Sequence, residues 1–156
     1  LSVEPGTLQH LKDARLFLET GLAERAARLA TPDAVARLRQ RLEAHLQAKR
    51  TREEFLPRDM EFHREIAAIS GNPIFPALIE AMFRWLEAYY FQLVSVPGAE
   101  DITIAEHQRI YEAIARGDPP AAAQAMREHL TRANALYRQF EVAGGANRND
   151  AMETSR

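Results

Sequence analysis

The chain has 156 residues, a formal net charge of −2 and no cysteine. That length is one domain with room for a single buried core. The missing cysteines exclude disulfides and thiolate metal sites, and the near-neutral charge argues against a nucleic-acid surface spread over the whole chain.

Taken in order, the chain reads as helix throughout. Val, Ile and Thr nowhere alternate as a strand requires. A first helix is expected over about Thr7 to Ala30, with Leu8, Leu11, Leu18, Leu22, Ala26 and Leu29 as its inner stripe. Thr31 and Pro32 then supply an N-cap and a first helical residue, and the second helix carries Val35, Leu38, Leu42 and Leu46 inward. The third contains "DMEFHREIAAIS", and Pro57 either sits in its first turn or breaks a longer helix in two. In "SGNP", Gly71 suits a left-handed helix end, Asn72 an N-cap and Pro73 the next first turn. The fourth helix, about Pro73 to Val94, is apolar on nearly every side and reads as central. "SVPGAED" reads as a loop, followed by a fifth helix over about Ile102 to Ala115 and a sixth that Asp118 caps and Pro119 starts, running to about Val142. The expected fold is all-α, an antiparallel bundle of about six helices over residues 1–142, with a flexible tail over 143–156. No apolar run reaches the ~20 residues that span a bilayer. The opening "LSVEPGTLQH" lacks the basic start and apolar stretch of a signal peptide, so the expected location is cytoplasmic.

Three helices place polar groups where the apolar stripe should continue. Asp59 and His63 are four apart and share a face with Phe62 and Ile66; His107 falls between Ile104 and Ile110; His129 lies on the stripe of Ala122, Met126, Ala133, Leu136 and Phe140. A single inward histidine is more often a hydrogen-bonded core residue than a ligand. Three of them with a carboxylate, which needs a cation when buried, also make a donor set suited to Zn2+, Ni2+, Cu2+ or Mn2+. His10 and His45 break the pattern and read as surface or boundary residues. Arg15 lies on the inner stripe of the first helix. It is either a guanidinium paired with a buried acid or reaching water past its apolar stem, or one that grips a carboxylate ligand through two parallel hydrogen bonds.

The runs "DARLFLETGLAERAARLA", "DMEFHREIAAISGNP" and "EHQRIYEAIARGDPPAAAQAMREHL" resemble, in order and spacing, the effector-binding (FCD) domain of GntR-type transcription regulators of the FadR subfamily. The resemblance covers about Leu8 to Phe140. It implies a homodimeric helical sensor of small molecules, many of whose relatives hold one divalent ion; Zn2+ is the expected ion here, with Ni2+ or Mn2+ next. The ligands it implies fall on Asp59, His63, His107 and His129. It places an organic-acid effector at Arg15. Should Arg15 be structural instead, Arg84 on the fourth helix is the next arginine to consider. It also implies a winged helix-turn-helix domain N-terminal to the bundle through which operator DNA is bound; this chain carries no segment for it before Thr7, and a longer parent protein is the expectation.

Two other readings compete. A metalloenzyme would need a base beside the metal. Glu106 and Glu128 each precede a histidine, but adjacent helical residues point about 100° apart, and no H-E-x-x-H motif is present. A purely structural ion with closed four-coordination is the third.

Overall fold

A computed structural model describes residues 6–50, 52–90 and 98–135 of the chain. The expected tail over 143–156, the end of the sixth helix with Leu136 and Phe140, and the part of "SVPGAED" before Gly98 lie outside the described residues. The fold is an antiparallel, all-α bundle: α1 (Thr7–Leu29), α2 (Pro32–Gln47), a single 3-10 turn (Ala48–Arg50), α3 (Arg52–Ile69), α4 (Ile74–Tyr90), α5 (Ala99–Ala115) and α6, described over 119–135. No strand occurs among the described residues, and none of the helices is long and apolar enough to cross a membrane.

The helix ends follow the local chemistry that the sequence supplies. The Thr31 hydroxyl accepts from the Ala34 N–H at 3.2 Å, Asn72 Oδ1 from Ile74 N–H at 3.0 Å, and Asp118 Oδ1 from Ala121 N–H at 3.1 Å. Gly71 takes φ +78°, a left-handed conformation that turns the chain from α3 into α4. Pro57 does not break α3, which runs through it unbroken. Pro57 and Glu53, whose carbonyl loses an N–H partner there, both lie on the exposed side, so water can replace the missing bond. α5 starts at Ala99, three residues before the expected Ile102, capped by Gly98 at φ +84°.

α3 packs against α1, α2 and α4, while α1 and α2 also pack against α5. The core joins Leu11, Leu22, Leu38, Phe62, Ile66, Ile79, Leu86, Ile110, Ile114, Met126 and Leu130. Burying a side chain of this size contributes about 1.5–3 kcal/mol. Two inner stripes differ from expectation. On α1, Leu18 is only half-buried and Leu29 is exposed, whereas Lys12, Arg15 and Glu19 are buried. On α2, Val35 is half-buried and Leu46 exposed. α4 is not central: Ile79, Met82, Phe83 and Leu86 face the core, but Ile74, Leu78 and Trp85 are exposed on its other side. A helix apolar all round still buries only the face that it turns to the bundle, where it packs on α3 and α1.

Candidate metal centre

Asp59 and His63 of α3, His107 of α5 and His129 of α6 meet in the core, all four at most 3% exposed. One ligand atom from each lies within 4.8 Å of every other. His63 Nε2 and His107 Nε2 are 3.2 Å apart, as are His107 Nε2 and His129 Nε2. Asp59 Oδ1 is 3.4 Å from the Nε2 atoms of both His63 and His107. Four ligands at roughly 2.0–2.1 Å from a tetrahedral ion would stand about 3.3 Å apart, so these separations match the edges of such a polyhedron.

The far sides of the rings explain why the Nε2 atoms face each other. His63 Nδ1 hydrogen-bonds Glu19 Oε2, and Glu19 Oε1 accepts from Arg15 Nε. His129 Nδ1 is 2.7 Å from Glu106 Oε2, and Arg132 grips both oxygens of Glu106 at 2.6 and 2.7 Å. A carboxylate can only accept, so the network assigns the Nδ1 proton to His63 and to His129 and leaves their Nε2 lone pairs pointing inward. His107 is held by stacking on Phe62, centroids 4.4 Å apart and planes at 15°. Its Nδ1 faces Nδ1 of His45 at 3.1 Å. Converging imidazole lone pairs beside a carboxylate are the donor chemistry of a divalent transition-metal site, and the residues present fit such an ion.

The electrostatics of the metal-free chain favour the ligating form at Asp59, His107 and His129 and oppose it at His63. Burial pushes the Asp59 carboxyl up, but the hydrogen bond with His63 and the field of the histidines outweigh it and hold it well below the ordinary value. Burial likewise opposes ionised Glu19, yet Arg15 and His63 bring it down to about 2. His107 is pushed well below its ordinary value by burial and by His129. His129 is lowered by burial against the pull of Glu106. His63 alone is raised: burial lowers it, but Glu19 and Asp59 more than compensate. Asp59 is thus ionised and His107 and His129 neutral, the states in which they ligate.

All four expected ligands are brought together. Arg15 reaches the same assembly: it is 3% exposed, bound through Nε to Glu19, with its guanidinium carbon 4.4 Å from the Phe83 ring centre. Arg84 does not. Its side chain is 72% exposed and bonds Glu80 at 2.6 Å, because it lies on the outer side of α4. His45 is a correction: it is 0% exposed and packs on Phe55 with ring centres 4.2 Å apart. Its spacing of three from Leu42 and seven from Leu38 could have revealed it. Glu19, four from Arg15 and from Ala23, and Arg132, three beyond His129, carried the same kind of signal. Glu106 is buried and bonded across to α6, whereas Glu128 is exposed and bonded to Gln124.

Comparison with known proteins decides the family, since the FCD domain profile matches residues 10–132. The chain belongs to the FCD domain family. This FCD domain is 34% identical over 139 residues to the HTH-type transcriptional repressor NanR of Enterobacter sp. (strain 638), covering 88% of the chain and 54% of that protein. It is 37% identical over 131 residues to NanR of Cronobacter sakazakii, covering 81% of the chain and 49% of that protein. It therefore spans about half the length of these curated relatives. The bundle superposes on E. coli McbR/YncC with TM-score 0.76 at 23% identity, over 88% of the chain and 68% of the other. On Streptococcus agalactiae GntR the TM-score is 0.69 at 25% identity, over 83% and 57%. These likenesses bear out the expected effector-binding domain of GntR-type regulators.

Proposed function

We propose that this FCD domain is the metal-dependent sensor of a FadR-subfamily GntR regulator, and that its effector is a small organic acid. The observation that carries the reading is the convergence of Asp59, His63, His107 and His129 within 4.8 Å in a core that also holds the Arg15–Glu19 pair. A bound Zn2+, or Ni2+ or Mn2+ in its place, would supply a Lewis-acidic position for a carboxylate or hydroxyl oxygen. Arg15 would take a carboxylate of the effector in a two-pronged hydrogen bond. Glu19 shares its two oxygens between Arg15 and His63. An acid that competes for Arg15 therefore alters what holds His63, and α1 moves relative to α3 by whatever differential binding energy the acid has for the two arrangements.

In the parent protein that shift would reach operator DNA through an N-terminal winged helix-turn-helix domain, in a cytoplasmic homodimer; the exposed Ile74, Leu78 and Trp85 on α4 support self-association. The repressor names of the relatives favour a regulator over an enzyme. So does the site: Glu106, the one buried acid beside a ligand histidine on α5, is already committed to His129 and Arg132. The test is metal content. Elemental analysis after loading and desalting should give about one divalent ion per chain, lost in the His107→Ala/His129→Ala double variant; full retention by that variant overturns the reading.

A further inference from the structure

His45 lies on α2, outside the four-residue ligand set, yet it is fully buried at 0% exposure. Its Nδ1 is 3.1 Å from Nδ1 of His107, and its Nε2 has no hydrogen-bond partner among the described residues. Among the described residues, the rings close on it are Phe55, at 4.2 Å between centres, and His107 itself, at 5.0 Å. Two nitrogens at 3.1 Å share one hydrogen, so one ring donates and the other accepts.

We propose that His45 is a positioning residue for the metal centre: its Nδ1 accepts the Nδ1–H of His107 and so keeps His107 Nε2 bare for the ion. This rests on the metal reading above. His107 differs from its two partners here. His63 and His129 face carboxylates, which can only accept, so their tautomers are fixed. His107 faces a second imidazole, which can do either.

The pair consequently has two arrangements, and each ring keeps one proton in both. With an ion bound, His107 carries its proton on Nδ1 and His45 carries its own on Nε2, which has no partner among the described residues. Without the ion, the reverse arrangement is better satisfied. His45 Nδ1–H donates to His107, and the hydrogen on His107 Nε2 lies beside the ionised Asp59 carboxylate, whose Oδ1 is 3.4 Å from that nitrogen. His45 then buries a bare acceptor nitrogen in place of an orphaned N–H, the rarer and costlier of the two. On loading, the Nδ1 proton passes from His45 to His107, His107 Nε2 gives one proton to water, and His45 Nε2 takes one from water, so the pair's proton count is unchanged. His45 therefore sets both the aim of His107 and part of its affinity for the ion.

Two measurements test this on the full chain with Zn2+ alone as probe. The first is 15N NMR of the imidazole nitrogens in the wild type. His45 should carry Nδ1–H in the metal-free protein and Nε2–H after one equivalent of Zn2+; the same tautomer in both states overturns the exchange. The second compares His45→Asn with His45→Phe by competition with a chromophoric chelator. Asn places an acceptor oxygen where His45 has Nδ1 but has no ring; Phe keeps the ring packing on Phe55 but has no acceptor. Asn should bind Zn2+ within about threefold of wild type, while Phe should lose about 10–100-fold, the usual effect of removing a ligand histidine's hydrogen-bond partner. The opposite order means that His45 only packs, and overturns the proposal. If the wild type takes up no Zn2+, the metal reading falls and this proposal with it; if it takes up Zn2+ with His45 unchanged, only this proposal falls.

Discussion

The Glu106 carboxylate on α5 holds the His129 ring on α6 at 2.7 Å, while Glu106's own neighbour His107 turns to the same centre from the other side. Two adjacent residues of one helix, about 100° apart, thus do separate jobs: His107 turns a ring nitrogen to the four-residue cluster, and Glu106 fixes the ring of His129 on the next helix. Arg132 clamps Glu106 with two nitrogens, which keeps the carboxylate from rotating away. Glu106→Gln is expected to weaken Zn2+ binding by about 10–100-fold without unfolding the chain. Chelator competition alongside circular dichroism checks both halves. An unchanged affinity would reduce Glu106 to a buried structural partner of Arg132.

The metal-free chain should bind Zn2+ more weakly as pH falls, and the first step belongs to His63. Its proton is held above the ordinary histidine value, so Zn2+ must displace it at a pH where His107 and His129, both depressed, are already neutral. The logarithm of the affinity should drop by about one per pH unit below the His63 value, steepening only when the depressed pair begins to protonate. Titrations from pH 7.5 to 5 in steps of about half a unit would show the slope; a flat profile would argue for other ligands.

Metal-free stability should move with pH in the same direction for a different reason. His45, lowered to about 4 by burial, and the depressed His107 and His129 take up protons more readily in the unfolded chain. Groups depressed on folding contribute stability that is present above the unfolded value, about 6.5, and is lost as pH falls toward the folded value. His63 has the opposite sign, and its contribution is fully present below about 6.5, so it does not offset the loss there. His45 alone corresponds to about 1.4 kcal/mol per pH unit between those limits. Urea unfolding at pH 7 and pH 5 should show the decline, and a His45→Phe chain should show a shallower one.

Much of the fold and the meeting of Asp59, His63, His107 and His129 in the core were legible because their signal is an exception within a rule. On α3, Phe62, Ile66 and their neighbours define an apolar face, and Asp59 and His63 fall on it; a buried carboxylate has few reasons to be there except a cation. What escaped shows the limits of the same rule. Glu19 fits the spacing of Leu11, Arg15, Leu22 and Ala26, but a lone acid is ordinarily assigned to water, and Leu18 beside it was the more apolar choice for the stripe. Only the crossing of α1 over α3 shows that Glu19 has Arg15 and His63 to satisfy it. His45 lost to Leu46 for a similar reason, yet it is Leu46 that is 51% exposed. α4 misled most, since apolarity all round says how much surface wants covering and not whether this chain covers it.

Phe62 joins the core to the centre, being 0% exposed and stacked on His107. Phe62→Ala should destabilise the metal-free protein by about 3–5 kcal/mol through lost burial and the cavity left behind. It should also free the His107 ring, so the added stability that saturating Zn2+ gives should shrink. Denaturant unfolding with and without Zn2+ separates the two effects. An unchanged increment on loading would mean that the stack contributes packing alone.

The organic-acid reading turns on Arg15. Its guanidinium is buried, engaged by Glu19 through Nε and set against the Phe83 ring. A cation kept in the core beside a candidate metal centre favours an anionic guest, and a carboxylate would address both at once. Small mono- and dicarboxylates, hydroxy acids and sugar acids should therefore raise the melting temperature of the Zn2+-loaded chain; an acid at a hundred times its Kd stabilises by about 2.7 kcal/mol. The shift should diminish after chelation. Arg15→Ala is an ambiguous variant, because it also removes the partner that steadies Glu19 and, through it, His63. Arg15→Lys retains the charge next to Glu19 but loses the planar fork. It should hold Zn2+ to within a few-fold of wild type while losing most of the acid response. Arg84→Ala, on the exposed side of α4, should respond as the wild type does. A full response in Arg15→Lys would mean that the acid is held elsewhere, and silence across the whole panel with Zn2+ present would remove organic acids as the effector class.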